Sequence, residues 1–254
     1  LLVLLRTDLI ASWRQATPAD APNRFVINVM PDQGEAFRAT LRAAGVSRMD
    51  WYPMFRGRLV AINGRDVNPG DYAEERARHL VEREFNLSHA AEQPAHNRIA
   101  AGRWVANEAG AISVEQGLAD TLRLKLGDTL RFDVAGTPVE ARVSSLRQVD
   151  WASMHVNFFA MFPLAEMPEV PATWIAAYRA PGAPGFDNAL VRQFPNITNV
   201  DMEQSIAQVQ RVLDQVISAI EFLFGFTLAA GLIVLFAAVS ATREERAREF
   251  AIMR

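Results

Sequence analysis

The 254-residue chain contains no cysteine. That excludes a disulfide scaffold, a thiolate metal site and a thiol nucleophile, and it fits either redox compartment. The chain also lacks a charge excess, with 26 Lys and Arg against 29 Asp and Glu for a net charge of -3. No global field for nucleic acid follows, and no nucleic-acid partner is expected. Motifs of enzymatic chemistry are missing too: there is no Gly-x-x-x-x-Gly-Lys-Ser/Thr loop to cradle nucleotide phosphates, no Gly-x-Ser-x-Gly elbow and no His-Glu-x-x-His pair. His79, His89, His96 and His155 are scattered without helical ligand spacing and read as solvated loop residues. The sequence therefore predicts no catalytic residue, no bound cofactor and no metal site. Asp66, Asp71, Asp128 and Asp150 stand where turns or caps favour aspartate. Trp51, Trp104, Trp151 and Trp174, with Phe158 and Phe159, read as core in preference to a groove.

One further absence matters: no proline occurs after Pro195. Within that stretch Phe222 to Ala241 carries no charge, and a run of about twenty apolar residues is the length that crosses a hydrocarbon core. A buried core helix is the alternative, but such helices are shorter and keep a polar face. Arg243, Arg246 and Arg248 follow at once and place the carboxy end on the cytoplasmic side. The chain starts without Met inside the apolar run Leu1 to Leu5, which reads as the outer end of a preceding membrane helix in a piece excised from something longer.

Upstream of the span, Asp201 to Gln204 opens a helix in the manner of a capping box. Its apolar residues Ile206, Val209, Leu213, Val216 and Ile220 are spaced 3, 4, 3, 4, the seam of a helical pair. At the amino end Leu5, Leu9 and Trp13 recur every four residues before Thr17-Pro18 breaks the run. The two stripes are expected to pair as an antiparallel stalk.

Between them the pattern is α+β. A strand over Arg24 to Met30, a helix ending at Gly45 and a strand from Met49 to Tyr52 form one βαβ set. Trp174 to Tyr178, a helix over Phe186 to Phe194 and Ile197 to Val200 form a second. The intervening stretch is β-rich. Ile112 to Leu122 reads as strand then helix, and a hairpin turns at Ala135-Gly136-Thr137. Val60 to Asn63 and Arg83 to Leu87 are further strands, with polar loops over Asn63 to Asp71 and His89 to Asn97.

This order, with NRFVINVMPDQ, ISVEQGLADTLRLKLGDTLRF and TREERAREFAIMR as its most specific segments, resembles the FtsX-like permeases. These are the MacB-type membrane subunits of type VII ABC systems, and the match looks nearest to their YbbP-like branch. The resemblance implies a fold of porter-like βαβ units with a β-rich, sabre-like insertion on a helical stalk that continues into a transmembrane helix. It divides the chain as follows: membrane-helix end and stalk over 1–17, first porter-like half over 18–66, insertion over 67–150 and second half over 151–200. The stalk helix then covers 201–221, the span 222–241 and a cytoplasmic coupling segment 242–254. Arg243, Glu244, Arg246, Arg248 and Glu249 would lie at the coupling element that touches an ABC ATPase subunit, with Phe250, Ile252 and Met253 on its apolar side. ATP and Mg would be bound by that partner, and this chain would be a non-catalytic subunit of the bacterial inner membrane, mostly periplasmic. Movement transmitted through the stalk would act on hydrophobic cargo for export or extraction, or on a periplasmic partner protein. Two other readings share the layout: the sensor domain of a two-pass membrane receptor, and a membrane-anchored enzyme with a carboxylate-only site.

Overall fold

The computed structural model describes residues 20–252, with side chains to residue 240. In chain order the elements are β1 (Arg24–Val29), α1 (Gly34–Ala43), β2 (Met49–Ile62), β3 (Arg65–Asp66), α2 (Glu75–Glu82), β4 (Phe85–His89), β5 (Arg98–Gly102) and β6 (Ala111–Glu115). There follow α3 (Gln116–Leu122), β7 (Thr129–Val134), β8 (Thr137–Gln148), β9 (Ala160–Phe162), β10 (Thr173–Tyr178), α4 (Phe186–Gln193), β11 (Thr198–Asp201) and α5 (Met202–Ile252). Residues up to Asp201 make one compact unit, and the helix from Met202 makes another.

In the first unit both expected βαβ sets are present, and each is split by a strand of the other. The order is β11-β1-β10-β2, with every neighbouring pair antiparallel. β1 and β2 therefore run parallel with β10 between them, and β10 and β11 run parallel with β1 between them, the ferredoxin-like interleaving. Alternation along the strands assigns the faces. Val26, Val29, Ala176 and Tyr178 pack under Phe37 and Leu41 of α1 and Leu190 of α4. Phe25, Ile27, Tyr52, Met54, Ile175 and Ala177 face the other way, onto Val156, Phe158 and Met161. A bulge at Asn28, whose φ is 65°, restores Val29 to the helical face.

The β-rich part is a barrel entered along a shared strand. The first half of β2 pairs with β10, and from Phe55 onward the same strand pairs with β4 and β7. The ring β2-β4-β9-β6-β8-β7 then closes on itself. Its interior is filled by Phe55, Leu59, Leu87, Ile112, Val114, Leu130, Phe132, Val143, Ala160 and Phe162, with α2 and α3 contributing Leu80, Val81 and Leu118. The sequence reading starts the insertion at residue 67 and ends it at 150. The shared strand moves its start back to Phe55, and Ala160–Phe162, with Met167 and Val170 in the same core, carries it past 160.

Turn chemistry fixes the barrel's ends. Asn63-Gly64 and Ala135-Gly136 take positive φ in two-residue hairpins. Asn63 bridges to the next loop, its amide donating to Asp128 Oδ1 at 2.9 Å and accepting from the Thr129 N–H at 2.8 Å. Asp128 Oδ2 accepts from the Lys125 N–H at 2.8 Å. Asp128 is thus a turn residue, as its placement in the sequence suggests.

His89, at the end of β4, is buried and directs Nδ1 to the Leu164 carbonyl at 3.0 Å. Burial pushes its pKa down, against the raising influence of that carbonyl and of Glu169. Above about pH 6.5, the ordinary histidine value, folded and unfolded chains both hold it neutral. Below it the unfolded chain takes up a proton that the folded chain refuses, so stability falls toward acid. A pH series of thermal melts is expected to show a smaller drop between pH 7 and 5 for His89→Gln than for the wild type.

The second unit is the single helix α5, unbroken from Met202 to Ile252. At about 1.5 Å per residue it is roughly 75 Å long. Gly225 and Gly231 lie inside it without interrupting it. The segment Met202–Ser240 is long and apolar enough to cross a membrane, and none of its most apolar window is buried. Phe222, Phe224, Phe226, Ile233 and Phe236 are all largely exposed, as lipid-facing residues would be.

Candidate functional site

The residues singled out for the stalk and coupling fall in three classes. Leu5, Leu9 and Trp13 lie outside the described residues. Ile206 is half-buried, and Val209, Leu213, Val216 and Ile220 are exposed on one unbroken helix. Arg243, Glu244, Arg246, Arg248 and Glu249 lie on the same helix, with their side chains outside the described set.

At the foot of the folded unit, β11 ends at Asp201, the residue before the helix begins. Arg24 on β1 holds it. The guanidinium reaches Asp201 Oδ2 at 3.0 Å, and its Nε and Nη2 donate to Asp187 at the start of α4 at 3.1 to 3.2 Å. Burial would raise the Asp187 pKa, but the hydrogen bonds from Arg24 and Asn199 and the Arg24 charge hold it below the usual carboxylate value.

A second polar centre joins the barrel to the uncovered face of the ferredoxin-like sheet. Arg147, on β8, is wholly buried. Its Nε donates to Ser113 Oγ at 3.0 Å, Nη1 to Asn97 Oδ1 at 2.5 Å and Nη2 to the Phe158 carbonyl at 2.9 Å. All three acceptors are neutral. Burial lowers its pKa to about 10, opposed by the charge of Glu115. Glu115 itself caps α3, accepting from the Gly117 and Leu118 N–H groups at 2.9 and 2.7 Å. Beside this lies an open groove of about 630 Å³ lined by His96, Asn97, Glu115, Gln148 and Asp150 among others.

Next to Arg147's partners, Asp50, His96 and His155 converge. Asp50 Oδ2 accepts from His155 Nδ1 at 2.9 Å and from the Val156 N–H at 2.8 Å, while His96 Nε2 meets the Val156 carbonyl at 2.8 Å. The two imidazoles stack at 4.5 Å with planes 14° apart. Tyr52, two residues along β2, has its phenol pushed up to about 12 by burial and by Asp50, against Arg147. Reading the four histidines as scattered, solvated loop residues is thus corrected for His89, which is buried at the end of β4, and for His96 and His155, which converge. The barrel folds back onto the sheet there, bringing residues of three distant segments together. His79 is an exposed residue of α2 beside Glu75 and Glu82.

The aromatic residues are also divided. Trp51 and Trp174 stack at 4.9 Å on the helical face, Trp104 donates Nε1–H to the Ala91 carbonyl at 2.7 Å, and Phe158 is buried. Trp151 is exposed and packs on Phe159 at 4.7 Å. They form no common groove.

No family model matches the chain. It is 36% identical over all 254 residues to the uncharacterized ABC transporter permease YbbP of Escherichia coli (strain K12), and spans 31% of that protein's length. Among solved structures, a domain assigned to a permease of Porphyromonas gingivalis shares 11% identity, at a TM-score of 0.39, over 72% of this chain and 93% of that one. The periplasmic region of MacB from Actinobacillus actinomycetemcomitans shares 9% identity, at a TM-score of 0.43, over 75% of this chain and 94% of that one. The sequence match runs from end to end, so this α+β chain with its long apolar helix is similar throughout to one segment of a YbbP-like ABC transporter permease.

Proposed function

We propose that the folded unit is an extracytoplasmic, non-catalytic part of such a permease in a bacterial inner membrane, moved by a separate ATPase through the long helix. The reading rests above all on α5: one helix of 51 residues without proline or break, fully exposed along its apolar window. A rod of that kind carries a displacement because nothing in it absorbs bending. Its first residue follows Asp201, which Arg24 ties into the sheet. At the other end Arg243, Glu244, Arg246, Arg248 and Glu249 would meet the ATPase, which binds the ATP and Mg. Leu5, Leu9 and Trp13 would brace the stripe of Ile206, Val209, Leu213, Val216 and Ile220. The work done would be export or extraction of hydrophobic cargo, or action on a periplasmic partner protein. The permease match favours this over the sensor of a two-pass receptor.

The test uses the full-length permease with its ATPase in lipid nanodiscs, with one spin label on the β7–β8 hairpin and one on the cytoplasmic side. ATP is expected to change the label distance in the wild type. A Gly-Ser-Gly-Ser-Gly insertion after Leu213 should abolish that change while ATP hydrolysis continues. A distance change that survives the insertion undiminished, or a wild type that never responds to ATP, would overturn the mechanism.

A further inference from the structure

We propose that Asp50, His96 and His155 form a binding site for a divalent transition cation of the zinc class. One ligand atom from each residue lies within 4.8 Å of the other two. Two imidazoles and a carboxylate are the donor set that zinc takes, with one position left for water. The donors come from separate places: Asp50 from β2 in the sheet, His96 from the loop between β4 and β5, and His155 from the connection between β8 and β9.

The surroundings already orient the site. Asp50 Oδ2 accepts from the Val156 N–H at 2.8 Å and lies 2.9 Å from His155 Nδ1, so a cation entering there would displace the proton between them, which His155 can carry on Nε2. The Val156 carbonyl only accepts, so His96 presents Nε2–H to it and leaves its Nδ1 lone pair for the ion. An imidazole held through its other nitrogen by a backbone carbonyl, as His96 is, matches the second-shell support found around metal-bound histidine. His96 also lines the open groove of about 630 Å³, which gives a cation and its water a route in. Ligand atoms up to 4.8 Å apart must draw together by up to about 1–1.5 Å to reach zinc bond lengths of about 2.0–2.2 Å. His96 and His155 lie outside the regular elements, where such movement is cheapest.

A bound cation would pin the barrel to the sheet at a point now held by hydrogen bonds, ring stacking and the packing of Val156. The inference does not depend on the permease mechanism. The site is tested on the whole chain in detergent by titrating zinc chloride calorimetrically at pH 7.5. One zinc per chain is expected for the wild type and for His79→Asn, with affinity at least tenfold lower for His96→Asn and for His155→Asn. A second measurement uses the wild type alone and is independent of any folding defect in a variant. Cobalt chloride should give the visible absorption of a four- or five-coordinate site, and zinc should raise the melting temperature, reversed by chelator. Binding that is equal in all variants, or lost only in His79→Asn, would overturn the site. So would a wild type showing neither stoichiometric zinc uptake nor a chelator-reversible rise in melting temperature.

Discussion

Arg147→Ala is expected to cost about 2–4 kcal/mol of stability, measured by urea denaturation of the chain in detergent with tryptophan fluorescence as the probe. The side chain is completely buried, and its three donors satisfy Ser113, Asn97 and the Phe158 carbonyl. Truncation takes the guanidinium from Asn97 Oδ1 and the Phe158 carbonyl, at about 1–3 kcal/mol for each acceptor left unpaired, whereas Ser113 keeps the Ser145 hydroxyl at 2.7 Å, and it also leaves a cavity. Against this stands relief from the desolvation of a cation whose three acceptors are all neutral, the same burial that lowers its pKa to about 10. The acceptor loss and the cavity outweigh that relief because each of the three guanidinium nitrogens already donates a hydrogen bond where it sits. Arg147→Met separates the two contributions. It refills most of the volume and removes the charge, so its loss should be smaller than that of alanine. Arg147→Lys keeps the charge but replaces a planar fork with a point donor, and should remain well below wild type. If lysine restores full stability, charge and not the three-way fork is what the barrel needs.

The same residue shows what the sequence made legible. Along β8 the alternation puts Ala141, Val143, Ser145 and Arg147 on the inward face. Period two carried past Val143 reaches Arg147, which the sequence reading does not single out, and its acceptors come from elsewhere. The βαβ sets, the β7–β8 hairpin, the β6–α3 step and the long helix are all read from local pattern, because each carries its own periodicity or turn.

Three features were not legible, each for a physical reason. β2 divides into two candidate strands in the sequence because Pro53 and Gly57 interrupt its middle. Pro53 is tolerated in the stretch paired with β10, and Gly57 is the point where a Cβ would come within 2.7 Å of Leu87 Cδ1 inside the barrel. Helix α2 is hidden by its polarity. Only Ala77, Leu80 and Val81 are buried, and the run EERARHLVERE offers no long apolar stripe. The Asp50, His96 and His155 cluster has no linear signature at all, since barrel closure alone brings the β8–β9 connection back to β2. His155 Nδ1 meets Asp50 across 105 positions of sequence.

Arg24→Met is expected to lower stability by about 2–3 kcal/mol and to change how the protein responds to acid. The arginine side chain is 11% exposed, whereas Asp187 and Asp201 are 39% and 24% exposed. Removing one partner of a buried ion pair costs about 3–5 kcal/mol, and the solvent reaching both carboxylates reduces the figure here. Asp187 is held below its ordinary pKa of 3.8 largely through Arg24 and Asn199. Its contribution is therefore complete above that value and disappears as pH falls through the lower folded one. In Arg24→Met the burial that raises the Asp187 pKa is no longer offset by the arginine, so the acid loss that Asp187 causes should shrink, and stability, lower at neutral pH, should fall less steeply below about pH 4 than in the wild type. Asp187→Asn removes the same titration from the other side. A double-mutant cycle then decides whether the pair acts as one unit: the double variant should be no less stable than Arg24→Met alone. Additive losses would mean that Arg24 acts chiefly through Asp201, the last residue of β11, and that β11, not α4, is what it fastens.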